Sequence, residues 1–210
     1  MAPNLRGLYL ILDPDVAGDR SLADLCSAAL AAGVRMFQLR MKTPDTGRVY
    51  DRASQLCPLV RKGGGMFIVN DRCDVAKAVG ADGVHLGQED LPLVDARAIL
   101  GSGKLIGVST HSLAQALEAE KAGADYIGFG PIFQTTTKEN PDPVVGVGGL
   151  REVRARVRIP IVAIGGITAQ NVADVMNAGA DGAAAISAIL AAPDPSKAMI
   201  ELISAIEGKA

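Results

Sequence analysis

A short sequence repeat that occurs three times along the chain constrains the fold more than any other feature. The three copies are VGADGVHLG from Val79, AGADYIGFG from Ala122 and AGADGAAAI from Ala178. Each copy is typical of a helix end, a glycine turn and a short strand. Because these strands are apolar on both faces, they predict a parallel sheet that is covered by helices.

Apolar runs extend this helix and strand unit over the whole chain. We predict eight strands and eight helices, with strands at residues 8–12, 36–39, 66–69, 83–86, 104–108, 125–130, 161–164 and 182–186. A doubly wound sheet is the alternative, but no GxGxxG fingerprint follows the first strand. The pattern therefore favours an α/β fold with a single (β/α)8 TIM-barrel domain over residues 1–210.

Charge and hydropathy limit the partners that this chain is expected to bind. The formal net charge is -2 and no basic stripe is present, which argues against a nucleic-acid partner. No apolar run approaches the roughly 20 residues that cross a bilayer, and no signal segment opens the chain. Three cysteines without metal spacing agree with a reducing compartment. We expect a cytoplasmic protein that binds no membrane, and the sequence leaves a homo-oligomer open.

Acidic residues follow two neighbouring predicted strands. Asp71 comes after the strand at 66–69, and Asp90 comes after the strand at 83–86. If these strands are adjacent and parallel, their ends lie about 5 Å apart, so both carboxylates could converge on one cation. Two carboxylates with open positions suit Mg²⁺ that holds a substrate phosphate. The alternative is that each aspartate caps the helix that follows it.

Polar residues recur at the same end of the other strands, which is where a barrel of this kind carries its chemistry. They are Gln38, Arg40, Lys42, Asn70, His85, Gln88, Ser109, His111, Thr135, Thr137, Lys138, Gly165, Gly166 and Ser187. Backbone N–H groups in IVAIGGIT and AAAISAI could surround one phosphate. The acids and the cations Arg40, Lys42 and Lys138 describe a second anion site. We therefore expect a site for two anionic ligands.

Six motifs resemble those of thiamine phosphate synthases, in order and across nearly the whole chain. They are QLRMK from Gln38, NDRCD from Asn70, ADGVHLGQED from Ala81, IGVSTH from Ile106, GADYIGFGPIFQTTTK from Gly123 and AIGGIT from Ala163. The resemblance implies a transferase that condenses hydroxymethylpyrimidine diphosphate with a thiazole phosphate. In that reaction the pyrimidine C–O bond ionises, pyrophosphate leaves, and the thiazole nitrogen captures the cation.

The same resemblance implies a role for each residue of the site. Two acids would hold the Mg²⁺ cofactor: Asp71 and Asp90. Four residues would bind the diphosphate and carry catalysis: Arg40, Lys42, Ser109 and Lys138. Two amides would contact the pyrimidine: Gln38 and Asn70. Five positions would hold the thiazole phosphate: Thr135, Thr137, Gly166, Ile186 and Ser187.

The sequence departs from the family pattern without losing any of these ligands. Met41 replaces an acid, Gln134 replaces a proline, and residues 147–149 loosen the usual Gly-Leu segment after the long loop. Two other functions are alternatives to the synthase. One is a thiazole tautomerase on the same barrel, in which His111 would shuttle protons, and the other is a non-catalytic phosphate binder. The acid pair and Lys138 favour the synthase, because neither alternative needs them.

Overall fold

Eight parallel strands close into one barrel in the computed structural model of this chain, which describes residues 5–135, 137 and 142–208. The strands are β1 Gly7–Leu12, β2 Met36–Leu39, β3 Met66–Asn70, β4 Gly83–Leu86, β5 Leu105–Thr110, β6 Tyr126–Phe129, β7 Ile161–Ala163 and β8 Gly182–Ala185. They pair in chain order, and β8 closes onto β1 with Gly7 opposite Gly182. The predicted fold class and the predicted number of strands are confirmed.

Ten helices surround the barrel in the described part of the chain, so the predicted number of eight is wrong. They are α1 Pro14–Ala17, α2 Leu22–Ala31, α3 Thr46–Lys62, α4 Cys73–Ala78, α5 Leu93–Leu100, α6 Leu113–Lys121, α7 Gly146–Arg156, α8 Val172–Asn177, α9 Ser187–Leu190 and α10 Pro195–Ile206. The extra helices begin at Asp-Pro pairs: Asp13 caps α1, and Asp194 caps α10 and separates it from α9. An aspartate cap followed by proline is a strong helix start.

Apolar side chains fill two layers of the molecule. The outer layer lies between the sheet and the helices and includes the fully buried Phe37, Phe67 and Phe129. The inner layer fills the barrel and is made of Leu5, Tyr9, Ile11, Met36, Ile68, Tyr126, Val162 and Ala184. Each large apolar side chain contributes about 1.5–3 kcal/mol when it is buried. None of the helices in the described residues combines the length and hydropathy of a membrane span.

The aspartate of the repeat has the same structural role in all three copies. Its carboxylate accepts a hydrogen bond from a backbone N–H at the start of the preceding odd-numbered strand: Asp82 from Phe67 at 2.8 Å, Asp125 from Ile106 at 2.8 Å and Asp181 from Ile161 at 2.9 Å. An arginine also pairs with two of them, Arg97 with Asp125 and Arg154 with Asp181. Each aspartate therefore links the start of one strand to the start of its neighbour, at the end of the barrel opposite the pocket.

Removing one of these carboxylates should cost stability without changing the chemistry at the other end of the barrel. Asp125→Ala leaves the Ile106 N–H and the Arg97 guanidinium without this acceptor, so we expect the free energy of unfolding to fall by about 1–3 kcal/mol. Urea unfolding measures the change, and Asp51→Ala, at an exposed position on α3, is the matched control. The control should stay within about 0.5 kcal/mol of the parent. An Asp125→Ala protein as stable as that control would contradict this role.

Candidate active site

A pocket of about 930 Å³ opens at the carboxyl ends of the strands. It is lined by every predicted site residue that the structure describes: Gln38, Arg40, Lys42, Asn70, Asp71, Asp90, Ser109, Thr135, Thr137, Gly166, Ile186 and Ser187. Lys138, the remaining predicted residue, lies outside the described residues. The pocket is thus lined by residues from each βα connection except the one after β1. This is where the active site of a (β/α)8 barrel lies.

Asp71 stands directly after β3 in an unusual backbone conformation. Its φ is 62°, the only positive value at a non-glycine position in the part of the chain that the structure describes. Such a conformation costs on the order of 1–3 kcal/mol, and residues held in it cluster at functional sites. Its backbone N–H donates to the carbonyl of His85 at 2.8 Å, which holds the turn against β4. Because α4 is preceded by Arg72 at its cap position, Asp71 is not the helix cap that the alternative reading required.

Asp90 lies on the neighbouring connection, after β4. Its Oδ2 accepts a hydrogen bond from the backbone N–H of Gly87 at 2.6 Å, which folds the connection into a tight loop. The cap position of α5 is Pro92, so Asp90 does not cap that helix either. Both aspartates are therefore placed by loops at adjacent strand ends, on the side of the barrel that faces the pocket.

The two carboxyl groups and Lys42 form one electrostatic group. Burial raises the pKa of Asp71 to about 6, and the carboxyl of Asp90 raises it as well. The ammonium of Lys42 lies 2.6 Å from Asp71 Oδ2 and opposes that rise. Two acids that crowd each other in this way are suited to a divalent cation, which removes their mutual repulsion. No cluster of three or more His, Cys, Asp or Glu ligands occurs in the described ranges. A metal here would take its other ligands from substrate and water.

Arg40 follows β2 on the same side of the pocket. Its guanidinium contacts the carboxylate of Asp13, whose side chain is only 2% exposed and also caps α1. This contact occupies one nitrogen of the guanidinium fork, and the fork has donors to spare for an anion. Asp13, which was not predicted as a partner from the sequence, lies on the connection after β1 and fixes Arg40 beside the pocket.

The two predicted amides lie near the end of β2, at Gln38, and at the end of β3, at Asn70. Asn70 Nδ2 is buried and has no hydrogen-bond partner among the described residues. Because a buried donor without a partner costs about 1–3 kcal/mol, this amide is a candidate for donating to a bound ligand. Gln38 is 3% exposed, and its Nε2 donates to Tyr9 Oη at 3.0 Å. Both side chains line the pocket.

A row of hydrogen-bonded side chains crosses the floor of the pocket, and its two tyrosines were not predicted from the sequence. Beyond Gln38, Tyr9 Oη lies 3.1 Å from Tyr126 Oη, which lies 3.1 Å from His85 Nδ1. His85 Nε2 then lies 3.0 Å from Ser109 Oγ. Burial lowers the pKa of His85 to about 4 and raises the pKa of Tyr9 to about 12. All members of this floor row are therefore uncharged near neutral pH.

Two glycines mark the floor row in the sequence. A Cβ added at Gly107 would lie 2.1 Å from the Tyr126 ring and 2.5 Å from His85 Nδ1. A Cβ added at Gly128 would lie 3.0 Å from the His85 ring. Glycine inside a strand indicates a close approach of other groups. Gly107 and Gly128 were thus the available signal for a buried polar layer beneath the site.

The far side of the pocket is built from β7, β8 and the connection after β6. Gly166 has a φ of 61°, and a Cβ there would lie 2.4 Å from the backbone oxygen of Gln134. Thr137 Oγ1 donates to Ser187 Oγ at 3.3 Å, and α9 starts at Ser187. Asn171 Nδ2 donates to the Gly166 carbonyl at 2.9 Å, which fixes that peptide. Hydroxyls and glycine backbone thus gather where the sequence predicts a phosphate cup.

Both ring nitrogens of His111 contact residues of the connection that follows β6. Its Nδ1 lies 2.6 Å from the carbonyl oxygen of Gly130, and its Nε2 lies 3.3 Å from Asp142 Oδ2. With one ring nitrogen on a carbonyl and the other on a carboxylate, the imidazole joins β5 to the end of the long connection. The proton-shuttle role of the tautomerase alternative would have to break one of these contacts.

Comparison with known proteins identifies one family over most of the chain. The family model described as "Thiamine monophosphate synthase" matches residues 8–189. The thiamine-phosphate synthase of Chloroflexus aurantiacus is 49% identical over 93% of this chain and 90% of its own length. That of Shouchella clausii is 47% identical over 95% of this chain and 96% of its own.

Solved structures give the same result. The thiamine phosphate pyrophosphorylase of Pyrococcus furiosus superposes with a TM-score of 0.88 at 41% identity, covering 98% of each chain. The 3-hexulose-6-phosphate synthase of Salmonella typhimurium superposes with a TM-score of 0.73 at 19% identity, covering 97% of this chain and 99% of that one, so that it shares the fold alone.

Proposed function

The chain belongs to the thiamine monophosphate synthase family, and from this premise we propose that its pocket joins hydroxymethylpyrimidine diphosphate to thiazole phosphate, as a transferase that releases thiamine phosphate and pyrophosphate. One observation carries the proposal. The acid pair at the ends of β3 and β4 faces the glycine and hydroxyl cup at the ends of β7 and β8 across one barrel mouth. A pocket with two anion-binding sides suits two phosphorylated substrates.

The diphosphate side of the pocket is suited to a metal. Asp71 and Asp90 would hold Mg²⁺, since they are adjacent carboxylates whose repulsion a dication relieves. When bound, Mg²⁺ would neutralise charge on the diphosphate and make it a better leaving group. Arg40, Lys42 and Ser109, together with Lys138, would bind the remaining diphosphate oxygens, and all four are proposed as the residues that stabilise the departing charge.

The pyrimidine would lie between the amides of Gln38 and Asn70, which can both donate to and accept from a polar ring edge. The thiazole phosphate would be held by Thr135, Thr137 and the backbone of Gly166, Ile186 and Ser187. When the pyrimidine C–O bond breaks, its electron pair leaves with pyrophosphate. The lone pair of the thiazole nitrogen then forms the new C–N bond. No proton needs to be removed, so the chemistry requires electrostatic stabilisation and no general base.

The charge that develops on the pyrimidine gives a kinetic test of this sequence of steps. Electron-withdrawing substituents on the ring destabilise the cation, so we expect them to slow turnover by about 10²-fold, which is about 2.7 kcal/mol in the barrier. Single-turnover rates with substituted diphosphates measure the effect, and an electron-donating substituent serves as the comparison. If the rates vary by less than about threefold across the series, bond breaking and bond making occur together and the dissociative order is wrong.

The phosphate cup predicts a change that is confined to one substrate. Ser187→Ala keeps the backbone N–H and removes the hydroxyl, which accepts from Thr137 Oγ1 and has its own O–H left to donate into the cup. We therefore expect the KM for thiazole phosphate to rise about tenfold, the size of one hydrogen bond to a charged group. The KM for the pyrimidine diphosphate should stay within twofold, as should both constants in the control Ser204→Ala on α10. An equal rise in both KM values would place Ser187 outside the thiazole phosphate site.

Product analysis separates the synthase from its two alternatives. A synthase forms thiamine phosphate when both substrates are present, a thiazole tautomerase interconverts thiazole isomers without pyrophosphate, and a non-catalytic binder changes neither. Mass spectrometry of the reaction mixture identifies which of these occurs. A cytoplasmic location and a homo-oligomeric state stay predictions from the sequence.

A further inference from the structure

The floor row is made of Gln38, Tyr9, Tyr126, His85 and Ser109. It connects two proposed substrate-binding residues, Gln38 and Ser109, through three residues to which the proposed function gives no role. Tyr9 is 2% exposed, Tyr126 is 0% exposed and His85 is 8% exposed. Buried polar groups of this kind are kept only when each is satisfied. Because the strands leave room for these rings at Gly107 and Gly128, the floor row is built into the barrel.

Only one direction along the floor row gives every one of its buried donors an acceptor within the row. Gln38 Nε2 donates to the oxygen of Tyr9. The buried Tyr9 hydroxyl has an acceptor in the row only if it donates onward, since the reverse direction would leave its O–H without one there. The neighbour in that direction is the oxygen of Tyr126, whose own hydroxyl then donates to His85 Nδ1. A neutral imidazole that accepts at Nδ1 carries its proton at Nε2.

The direction ends at Ser109. With its proton at Nε2, the His85 ring donates to Ser109 Oγ. The serine oxygen is then an acceptor toward the barrel floor, and its own O–H is left to donate into the pocket. If the imidazole carried its proton at Nδ1 instead, Ser109 would donate downward to Nε2 and offer the pocket only lone pairs. Those lone pairs would repel an anion.

We propose that Tyr9, Tyr126 and His85 are positioning residues, which hold the imidazole as the Nε2–H tautomer and thereby make Ser109 a donor to an anion in the pocket. The identity of that anion as the leaving diphosphate rests on the proposed function. The direction of the floor row does not, since it follows from giving each buried donor of that row an acceptor. An oriented donor that needs no rearrangement during reaction is the kind of group that stabilises developing negative charge.

The tautomer is directly measurable because the chain contains only two histidines. In full-length protein labelled with ¹⁵N at histidine, the His111→Asn variant identifies the His85 signals. We expect a neutral His85 with the proton at Nε2 and an unprotonated Nδ1. In Tyr126→Phe, where Nδ1 loses its donor, the two tautomers should mix. Tyr50→Phe, at an exposed tyrosine on α3, should leave the spectrum unchanged. A parent protein with Nδ1 protonated would overturn the proposal.

Binding and kinetics test the consequence at Ser109. We expect Tyr126→Phe to weaken binding of magnesium pyrophosphate and to lower kcat, each about tenfold, with the KM for thiazole phosphate within twofold. The double variant Tyr126→Phe/Ser109→Ala should be no worse than Ser109→Ala alone, because both changes remove the same donor. Fully additive losses would overturn the coupling. Failure of thiamine phosphate synthesis with the expected tautomer and pyrophosphate binding would instead contradict the proposed function alone.

Discussion

Asp71→Asn should abolish nearly all synthesis of thiamine phosphate while the protein remains folded. The change removes one negative charge from the proposed metal site and keeps the shape of the side chain. We expect kcat/KM to fall by about 10³-fold at saturating Mg²⁺, the upper size seen when one preorganised electrostatic group is lost. Binding of Mn²⁺ as a spectroscopic substitute, measured in the presence of pyrophosphate, should weaken in parallel. Asp90→Asn is expected to act in the same direction.

Asparagine is the informative replacement because of the backbone at this position. Asp71 has a φ of 62°, and asparagine adopts such a conformation as readily as aspartate does. Alanine would add backbone strain to the loss of charge, so that the two effects could not be separated. Asp74→Asn is the matched control, since this nearby acid is 62% exposed and pairs with Arg72. The metal assignment would be contradicted if activity survived a chelator. It would also be contradicted if the kcat/KM of Asp71→Asn were within threefold of that of the Asp74→Asn control.

Lys138→Ala should produce the second largest loss, a decrease in kcat of about 10²-fold. The reason comes from the sequence, because Lys138 lies outside the described residues and follows the threonines after β6. A cation at this point would neutralise charge on the departing diphosphate. Lys138→Arg keeps the charge and should retain more activity than Lys138→Ala. Lys77→Ala, at an exposed lysine of α4, is the control that should change nothing. If kcat of Lys138→Ala decreased by less than threefold, Lys138 would not stabilise the charge of the departing diphosphate.

Local patterns in the sequence predicted the barrel because each strand is short, apolar and bounded by turn residues. The bounds predicted for β2 and β4 are the observed ones. At β5 the observed strand runs two residues beyond the predicted end, to Thr110, so Ser109 lies within the strand. Strand ends depend on pairing with neighbours, and Ser109 is opposite Gly128 of β6. Such pairing cannot be read from one segment.

The residues around the pocket were predicted better than the contacts between them. A parallel barrel brings all strand exits to one rim, so the polar residues at those exits predict the polar rim of the pocket but not the strand residues, such as Tyr9 and Tyr126, that also line it. The partners of those residues depend on long-range packing. Tyr9 and Tyr126 are 117 positions apart, and each looks like an ordinary core residue in its own strand. Arg40 likewise meets Asp13 only because β1 and β2 are neighbours.

The most direct test of the account is the stoichiometry of pyrophosphate release. Purified protein is mixed with hydroxymethylpyrimidine diphosphate, thiazole phosphate and Mg²⁺, and both products are followed over time. We predict one pyrophosphate for each thiamine phosphate, and neither product when either substrate is omitted or when a chelator removes the metal. Absence of both products with both substrates and Mg²⁺ present, or synthesis that continues in chelator, would contradict the account.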